Sequence, residues 1–333
     1  MNTVNSTDGE IVGRIEAAGE HMKRVHAEVG GVIFGQEKVI EQTLTTILAG
    51  GHALLIGVPG LAKTLLVETL GRVLGLDAKR IQFTPDLMPS DIIGSEVLEE
   101  VQGGAQRQFR FIGGPIFTQL LMADEINRAS PKTQSALLQA MQEHHVTVAG
   151  TRHDVPEPFH VLATQNPLEQ EGTYPLPEAQ LDRFLLQIDV TYPDLAAERQ
   201  MLYETTGSKN VQVESVLDGN TLMEMQQLVR LMPVPDKVVE AILSLVRAAR
   251  PGPEASEEAN RLIAWGPGPR ASQALMLTVR AKALMDGRLA PSIDDVLELA
   301  EPVLKHRMAL TFAARTEGET VSNVVHRLAS TLE

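Results

Sequence analysis

The order of apolar and polar residues divides the chain into two parts. In the first part, short continuous apolar runs alternate with stretches whose apolar residues recur every three or four positions. Such runs are typical of strands buried on both faces, and the three-to-four spacing is typical of amphipathic helices. Four runs are clear and a fifth is shorter and more polar: 53–56, 120–123, 159–163, 184–188 and 80–83. The alternation predicts an α/β fold, with a parallel five-stranded sheet covered by helices.

After about residue 207 the pattern is helical throughout. Apolar residues recur at helical spacing in three stretches: 222–232, 238–246 and 275–284. Ser292, followed by Asp294 and Asp295, marks the start of a further helix, because a hydroxyl caps the first N–H groups and acidic residues suit the helix dipole. We therefore expect a smaller, all-helical C-terminal domain.

These patterns predict the domain boundaries. We expect an N-terminal tail and helix over 1–31, an α/β core over 32–206, a linker over 207–219 and the helical domain over 220–333. Two segments exceed a minimal core and are predicted to be hairpins, at about 95–112, around Gly103-Gly104, and at about 145–155.

Composition narrows the class of protein. The 333 residues are 43% hydrophobic and 22% charged, as in folded globular proteins. Forty-three acidic against 29 basic residues give a formal charge of -14, which disfavours nucleic acid as a partner. The chain has no cysteine, which excludes disulfides and thiolate zinc sites. No apolar run approaches the roughly 18–20 residues of a membrane helix, and the polar first ten residues lack a signal-peptide pattern, so we expect a cytoplasmic protein with no membrane insertion.

The first apolar run leads into a candidate phosphate-binding loop. A strand, a glycine-containing loop, Lys63-Thr64 and a helix follow one another, which is the arrangement of a P-loop. Backbone N–H groups of such a loop surround phosphates, and its lysine reaches the β and γ oxygens. Ala62 stands where a second glycine is usual, and the alternative is a tight turn with a solvated lysine. The predicted nucleotide-binding residues here are Gly57, Val58, Pro59, Gly60, Leu61, Ala62, Lys63, Thr64 and Leu65.

Acidic and amide residues follow two of the other runs. Asp124 and Glu125 end the run 120–123, so they would reach the carboxyl edge of the sheet beside the phosphate loop. Asp124, with Thr64, would hold Mg²⁺, and Glu125 would orient and deprotonate the attacking water. Asn166, after the run 159–163, could position that water. This set predicts nucleotide hydrolysis.

ATP is favoured over GTP as the nucleotide. The chain contains no Asn-Lys-x-Asp tetrapeptide of the kind that binds guanine. Phe34, Gly35 and Gln36 precede the first strand and are predicted to contribute to the nucleotide site.

With these residues, the sequence resembles the MoxR family of AAA+ ATPases from about 32 to 315. The motifs that carry the resemblance are Gly57-Val-Pro-Gly-Leu-Ala-Lys-Thr, Asp124-Glu-Ile-Asn-Arg-Ala, Ala163-Thr-Gln-Asn-Pro, Pro177-Glu-Ala-Gln-Leu-Asp-Arg-Phe and Gly268-Pro-Arg-Ala. The resemblance implies a P-loop AAA+ domain with a helical lid. It implies that Asn166 is the sensor-1 residue, Arg183 the arginine finger of a neighbouring subunit and Arg270 the sensor-2 arginine. Arg128, close behind Glu125, is a rival finger.

The resemblance also implies what the hairpins and the whole protein do. The two hairpins resemble the helix-2 insert and the pre-sensor-1 hairpin of this AAA+ branch, the alternative being plain surface hairpins. The implied function is an ATP-driven ring, expected to be hexameric, that remodels or matures a client protein, with a von Willebrand factor A domain protein as a possible partner. The alternatives are a nucleic-acid motor of the same branch and an ATP-dependent scaffold with little turnover. A DNA-binding ring needs basic hairpins, whereas the first hairpin has Arg107 and Arg110 against Glu96, Glu99 and Glu100, and the second has Arg152 against Asp154, which disfavours the motor. The presence of Glu125 and Asn166 disfavours the scaffold.

Overall fold

The computed structural model describes residues 4–100, 107–169, 172–206 and 213–332. The strands, in chain order, are β1 (Ala53–Ile56), β2 (Ala78–Gln82), β3 (Gly94–Glu100), β4 (Arg107–Gly113), β5 (Leu120–Asp124), β6 (His145–Val148), β7 (Thr151–Asp154), β8 (His160–Gln165), β9 (Leu186–Asp189), β10 (Ile263–Trp265) and β11 (Ala309–Leu310). The helices are α1 (Val4–Gly30), α2 (Glu37–Leu48), α3 (Lys63–Val73), α4 (Pro89–Ile93), α5 (Pro131–Glu143), α6 (Glu178–Leu181), α7 (Leu195–Thr205), α8 (Gly219–Leu231), α9 (Asp236–Ala248), α10 (Glu257–Leu262), α11 (Pro269–Met285), α12 (Ile293–Leu304), α13 (Phe312–Thr316) and α14 (Val321–Ala329).

The predicted apolar runs form one parallel sheet in the order β2-β5-β8-β1-β9. Leu55 and Met122 belong to the core that includes α1, α2 and α3, whereas Leu54 and Leu121 pack on the opposite side with α5. Because both faces are covered, the strands read as continuous apolar runs rather than as alternating ones. The predicted α/β class and five-stranded sheet are confirmed.

The last strand of the sheet begins later than its apolar run. Phe184 is fully buried but precedes β9, and its N–H donates to the Leu181 carbonyl at the end of α6. The Leu185 N–H donates to the His52 carbonyl, just before β1. Apolar residues therefore continue from the turn into the strand, and an apolar run alone does not mark where the strand starts.

The N-terminal helix α1 connects the sheet region with the C-terminal helices. Its apolar stripe, including Met22 and Val25, is buried, and α1 packs on α2, α3 and α11. At Gly19 the two parts approach closely, since a Cβ there would lie 2.7 Å from the Gly287 Cα. Within the described ranges, no helix has both the length and the apolar content needed to cross a membrane.

The C-terminal part is helical, with one short addition. Strands β10 and β11 form an antiparallel pair that the helical pattern did not predict. Ser292 caps α12 as predicted, accepting from the Asp295 N–H while the Asp295 carboxylate accepts from the Ser292 N–H. Residues 207–212 of the predicted linker lie outside the described residues. The rest runs along the end of α3, where the N–H groups of Val216 and Leu217 donate to the Val73 carbonyl.

Two antiparallel hairpins extend from the sheet region. Strands β3 and β4 pair from Gly94↔Gly113 to Glu100↔Arg107, and β6 pairs with β7. The predicted glycine turn at 103–104 lies outside the described residues. The hairpins meet where the Phe111 ring stacks on the His153 ring, with centroids 3.8 Å apart.

Candidate nucleotide site

The phosphate loop lies at the carboxyl edge of the sheet, directly after β1. The Gly57 N–H donates to the Gln165 carbonyl (3.2 Å), and a Cβ at Gly57 would lie 2.6 Å from the Val190 oxygen, so only glycine fits between β8 and the end of β9. Gly60 (φ +87°) and Ala62 (φ +56°) have left-handed backbone conformations. For alanine this costs roughly 1–2 kcal/mol, at the position where a glycine is usual.

The first turn of α3 is suited to an anion. Ala62 occupies the capping position and has no polar side-chain group to bond the N–H groups that begin the helix. These N–H groups and the helix dipole form a natural phosphate site. Thr64, half-buried, and Leu65, exposed, belong to this turn.

The Lys63 ammonium is directed into the loop. It donates to the carbonyl oxygens of Gly57 and Val58, the latter at 3.1 Å. Partial burial lowers the pKa of Lys63, and the negative charges of Asp124 and Glu125 act in the opposite direction. The lysine is therefore within electrostatic reach of the acidic pair.

Asp124 ends β5 as a buried carboxylate with two partners. Its Oδ1 accepts from the Thr164 hydroxyl (2.6 Å), and its Oδ2 accepts from the Arg80 guanidinium (2.5 and 3.2 Å). Arg80 lies on β2, the strand beside β5. The carboxylate is thus held at the edge of the sheet by one hydroxyl and one half-exposed cation.

Glu125 follows with a left-handed backbone conformation (φ +55°), so the extended strand ends at Asp124. Its N–H donates to the Thr164 hydroxyl (2.9 Å), so Thr164 contacts both acidic residues. Its Oε2 accepts from Gln82 Nε2 (2.7 Å) and from Arg128 Nη1 (2.8 Å). That hydrogen bond raises the pKa of Arg128, which is thus engaged with Glu125 of its own chain.

The remaining predicted residues of this edge lie beside the loops after β8 and β9. Asn166 is buried directly after β8, and its Oδ1 accepts from the Leu168 N–H (3.1 Å). Phe34, Gly35 and Gln36 form the connection between α1 and α2. Gln36 Nε2 donates to the Thr191 carbonyl (2.7 Å), beyond the end of β9. One sheet edge therefore holds the phosphate loop, both acidic residues, Asn166 and the segment 34–36.

Arg183 and Arg270 lie at the other edge of the sheet. Both line an open cavity whose wall includes His52 and Leu185, the residues just before β1 and β9. The Arg183 Nε is buried there, and none of the described residues offers it a hydrogen-bond partner. Strands of four to six residues separate the two edges, a distance of about 13–20 Å. The structure does not bring these arginines to the Lys63 loop of the same chain.

The sheet order, the loop before α3 and the acidic pair define a P-loop ATPase of the AAA type. The family described as "ATPase family associated with various cellular activities (AAA)" matches residues 52–186, and the AAA lid domain matches residues 255–328. Within this class, the chain belongs to the MoxR family of AAA+ ATPases, which confirms the resemblance seen in the sequence.

Three similar proteins support this assignment. The chaperone MoxR1 of Mycobacterium tuberculosis is 41% identical over 312 residues, which cover 93% of this chain and 81% of the relative. The uncharacterised protein YeaC of Bacillus subtilis is 39% identical, covering 94% and 92%. A solved structure of a candidate ATPase from Cytophaga hutchinsonii superposes with a TM-score of 0.87 at 38% identity, covering 98% of this chain and 97% of that one.

Three contacting residues of the site were not predicted from the sequence. Arg80 and Gln82 bond the acidic pair from β2, and Thr164 joins the two acids. The sequence does contain a signal for Arg80 and Gln82, because polar residues two positions apart in a strand lie on the same face. Thr164 directly follows the apolar run 159–163, and the sequence carries no such spacing signal for it.

Proposed function

We propose that this chain hydrolyses ATP with Mg²⁺ in a ring, at sites that two neighbouring subunits share. Lys63 and the loop N–H groups bind the phosphates, and Asn166 and Glu125 position and deprotonate the attacking water. Arg183 and Arg270 of the next subunit contact the γ-phosphate. The observation that carries this proposal is the position of these arginines at the sheet edge opposite the phosphate loop.

The residues at the carboxyl edge fit Mg²⁺ and a nucleotide. Thr64 and Asp124 offer the hydroxyl and carboxylate oxygens that Mg²⁺ prefers, with phosphate oxygens completing its coordination. The uncapped start of α3 and the nearby Lys63 fit a polyphosphate. The bound Mg²⁺ would neutralise charge on the phosphates.

Glu125 has the position and the free oxygen that a general base needs. Gln82 and Arg128 both bond Oε2, and within the described part of the chain no hydrogen bond engages Oε1. The two donors fix the carboxylate while Oε1 remains available to accept a proton from water. Its place beside Asp124 directs that base toward the phosphate loop.

The contacts favour Arg183 over Arg128 as the finger that acts in trans. Arg128 donates to Glu125 of its own chain, whereas the Arg183 Nε has no hydrogen-bond partner among the residues that the structure describes. An arginine finger contributes about 10³–10⁵ in rate by stabilising transition-state charge. A ring with head-to-tail interfaces supplies such a residue at every site. The hexameric ring size is an expectation from the family.

The activity itself is tested with purified protein and two variants. We expect Mg²⁺-dependent phosphate release that falls about 10³-fold in Arg183→Ala while ATP binding persists. Arg247→Ala, which removes an exposed arginine whose nearest acid, Glu254, is 3.8 Å away, is the matched control and should keep the wild-type rate. Full activity of Arg183→Ala would refute the shared site, and absence of Mg²⁺-dependent hydrolysis in the wild type would refute the ATPase.

We further propose that the client is a protein. Leu98 and Phe109 lie opposite each other on the first hairpin, and their side chains are exposed, Phe109 at 65%. Glu96, two positions from Leu98, adds a carboxylate on the same face, and on the other face Glu99 pairs with Arg110 (3.3 Å). The hairpin therefore offers no excess of positive charge to a phosphate backbone. A partner with a von Willebrand factor A domain is the expectation from the family, and the cytoplasm is the location predicted from the sequence.

Client binding is tested with the hydrolysis-deficient Glu125→Gln variant as bait. We expect a client protein to be retained with ATP and released with ADP, and Lys63→Ala, which should not hold ATP, is the matched control. Equal retention by both variants would contradict nucleotide-dependent client binding. Tight, salt-sensitive binding of labelled DNA would favour the nucleic-acid motor instead.

A further inference from the structure

A buried arginine of the C-terminal part holds the segment that carries Arg183. Arg307 lies in the short turn after α12, and the whole residue is only 2% exposed. Its guanidinium donates hydrogen bonds to five oxygen atoms. These are Asp182 Oδ1 (2.8 Å), Asp182 O (3.5 Å), Phe184 O (2.6 Å), Leu185 O (3.1 Å) and Val303 O (2.5 Å). Four of the five belong to residues 182–185. The ring of neighbouring His306 adds a contact, with Nε2 3.0 Å from the Phe184 oxygen.

This arrangement is specific to a guanidinium. Arginine has five N–H donors in a planar fork, and here each has an acceptor. Burial lowers the pKa of Arg307, and its hydrogen bond to Asp182 acts in the opposite direction. A buried ion pair contributes little net stability compared with well-packed apolar residues, so its value lies in geometry.

Asp182 connects this arginine to both arginines of the proposed trans pair. Its Oδ1 accepts from Arg307, and its Oδ2 lies 3.7 Å from Arg270 Nη1. Arg183 is the next residue in the chain. One carboxylate therefore contacts a buried cation on one side and an exposed cation on the other, and its negative charge offsets the repulsion within the arginine cluster.

We infer that Arg307 and Asp182 are positioning residues for hydrolysis at the neighbouring subunit, because they set the relative placement of Arg183 and Arg270. This inference rests on the proposed shared site. Arg307 lies directly after α12 and bonds the segment that carries Arg183. The position of the C-terminal helices therefore determines where Arg183 and Arg270 lie relative to the neighbouring subunit. Neither Arg307 nor Asp182 is proposed to contact the phosphates.

The test uses Arg307→Lys, which keeps the charge but has too few donors for five acceptors. We expect kcat to fall about 10–100-fold, because small misplacement of a catalytic group has effects of that size, while the affinity of the subunit's own site for ATP is unchanged. Arg288→Lys is the matched control, since Arg288 makes a comparable paired bond to Asp295 within the same helical part. It should keep the wild-type kcat.

A mixing experiment separates positioning from general destabilisation. Lys63→Ala subunits carry intact arginines, so adding them should partly restore hydrolysis to Arg307→Lys subunits, as it should to Arg183→Ala subunits. The double variant Arg183→Ala/Arg307→Lys should lose no more activity than Arg183→Ala alone. A merely structural role would instead weaken ATP binding and would not be complemented.

Asp182→Asn provides a second test that does not depend on Arg307→Lys folding. The asparagine oxygen still accepts from Arg307, but the charge near Arg270 is lost, so we expect a smaller loss of kcat than in Asp182→Ala. Equal losses in both, or none in either, would overturn the role of Asp182.

The failure of this inference is distinguishable from that of the shared site. If Lys63→Ala restores Arg183→Ala but not Arg307→Lys, the positioning role is wrong and the shared site stands. If neither is restored, the shared site itself is refuted.

Discussion

Replacement of Glu125 by glutamine removes the proposed base and almost nothing else. The backbone conformation of residue 125 and its N–H bond to Thr164 do not depend on the carboxylate. A glutamine oxygen can still accept from Gln82 and Arg128, which now bond Oε2 at 2.7 and 2.8 Å. The variant should therefore fold, assemble and bind ATP.

The expected magnitudes differ widely between stability and catalysis. The ion pair with Arg128 is partly exposed, with side-chain exposures of 40% and 20%, so its loss costs at most about 1 kcal/mol of unfolding free energy. Loss of a general base costs about 10²–10⁴ in rate. At 1.36 kcal/mol for each factor of ten, that is about 3–5 kcal/mol on the activation barrier.

The assay is phosphate release at saturating ATP, with nucleotide binding measured by calorimetry and folding by thermal unfolding. Glu169→Gln is the matched control, because it removes the other carboxylate near Arg128, 4.0 Å from its Nε, and leaves Glu125 intact. A Glu125→Gln protein that hydrolyses ATP within about tenfold of wild type would refute the role of this residue as the base.

Two further predictions concern Arg80 and three buried histidines. Arg80 bonds the Asp124 carboxylate and would compete there with Mg²⁺. In Arg80→Ala, half-maximal activity should therefore require about two- to tenfold less Mg²⁺. An unchanged Mg²⁺ titration would contradict this competition. Burial lowers the pKa of His52 to about 3, of His160 to about 4 and of His306 well below 6.5. As the pH falls, the three histidines take up protons in the unfolded chain before they do so in the folded one. The free energy of unfolding should therefore fall below about pH 6.5, by roughly 4 kcal/mol per pH unit for the three together. A constant urea midpoint between pH 7 and 5 would refute this.

The sequence predicted the sheet and the phosphate loop because those features are local. A strand buried on both faces must be apolar along its length, and a loop that surrounds phosphates needs glycine-like conformations followed by Lys-Thr. Both signals lie within a dozen residues. The helical C-terminal part was likewise predicted from spacing, although β10 and β11 were too short to show a pattern.

Contacts between distant segments could not be predicted in the same way. Arg307 bonds residues 182–185 across more than a hundred positions, and in the sequence it is one of three consecutive basic residues at the end of a helical stripe. Arg80 and Thr164 meet Asp124 only because β2, β5 and β8 are neighbours in the sheet, an order that the apolar runs do not encode. The sequence identifies Asp124 and Arg183 as candidate site residues, and the topology determines which side chains contact them.

The roles of Arg183 and Arg270 depend most on that topology. In the sequence, both are arginines with family-implied roles, and Arg128 is a rival candidate for the finger. The structure places Arg128 on Glu125 and the other two at the opposite sheet edge, in one cavity with Asp182. This separation is the basis for the proposed active site, which requires two subunits.

The most direct test of that site mixes two inactive variants, Arg183→Ala and Lys63→Ala, in equal amounts after subunit exchange. Each lacks one half of the site, so a random ring contains intact Lys63 facing intact Arg183 at about one interface in four. We predict that the mixture regains roughly a quarter of the wild-type rate of phosphate release, if interfaces act independently. A mixture as inactive as its components, with subunit exchange demonstrated, would contradict the account.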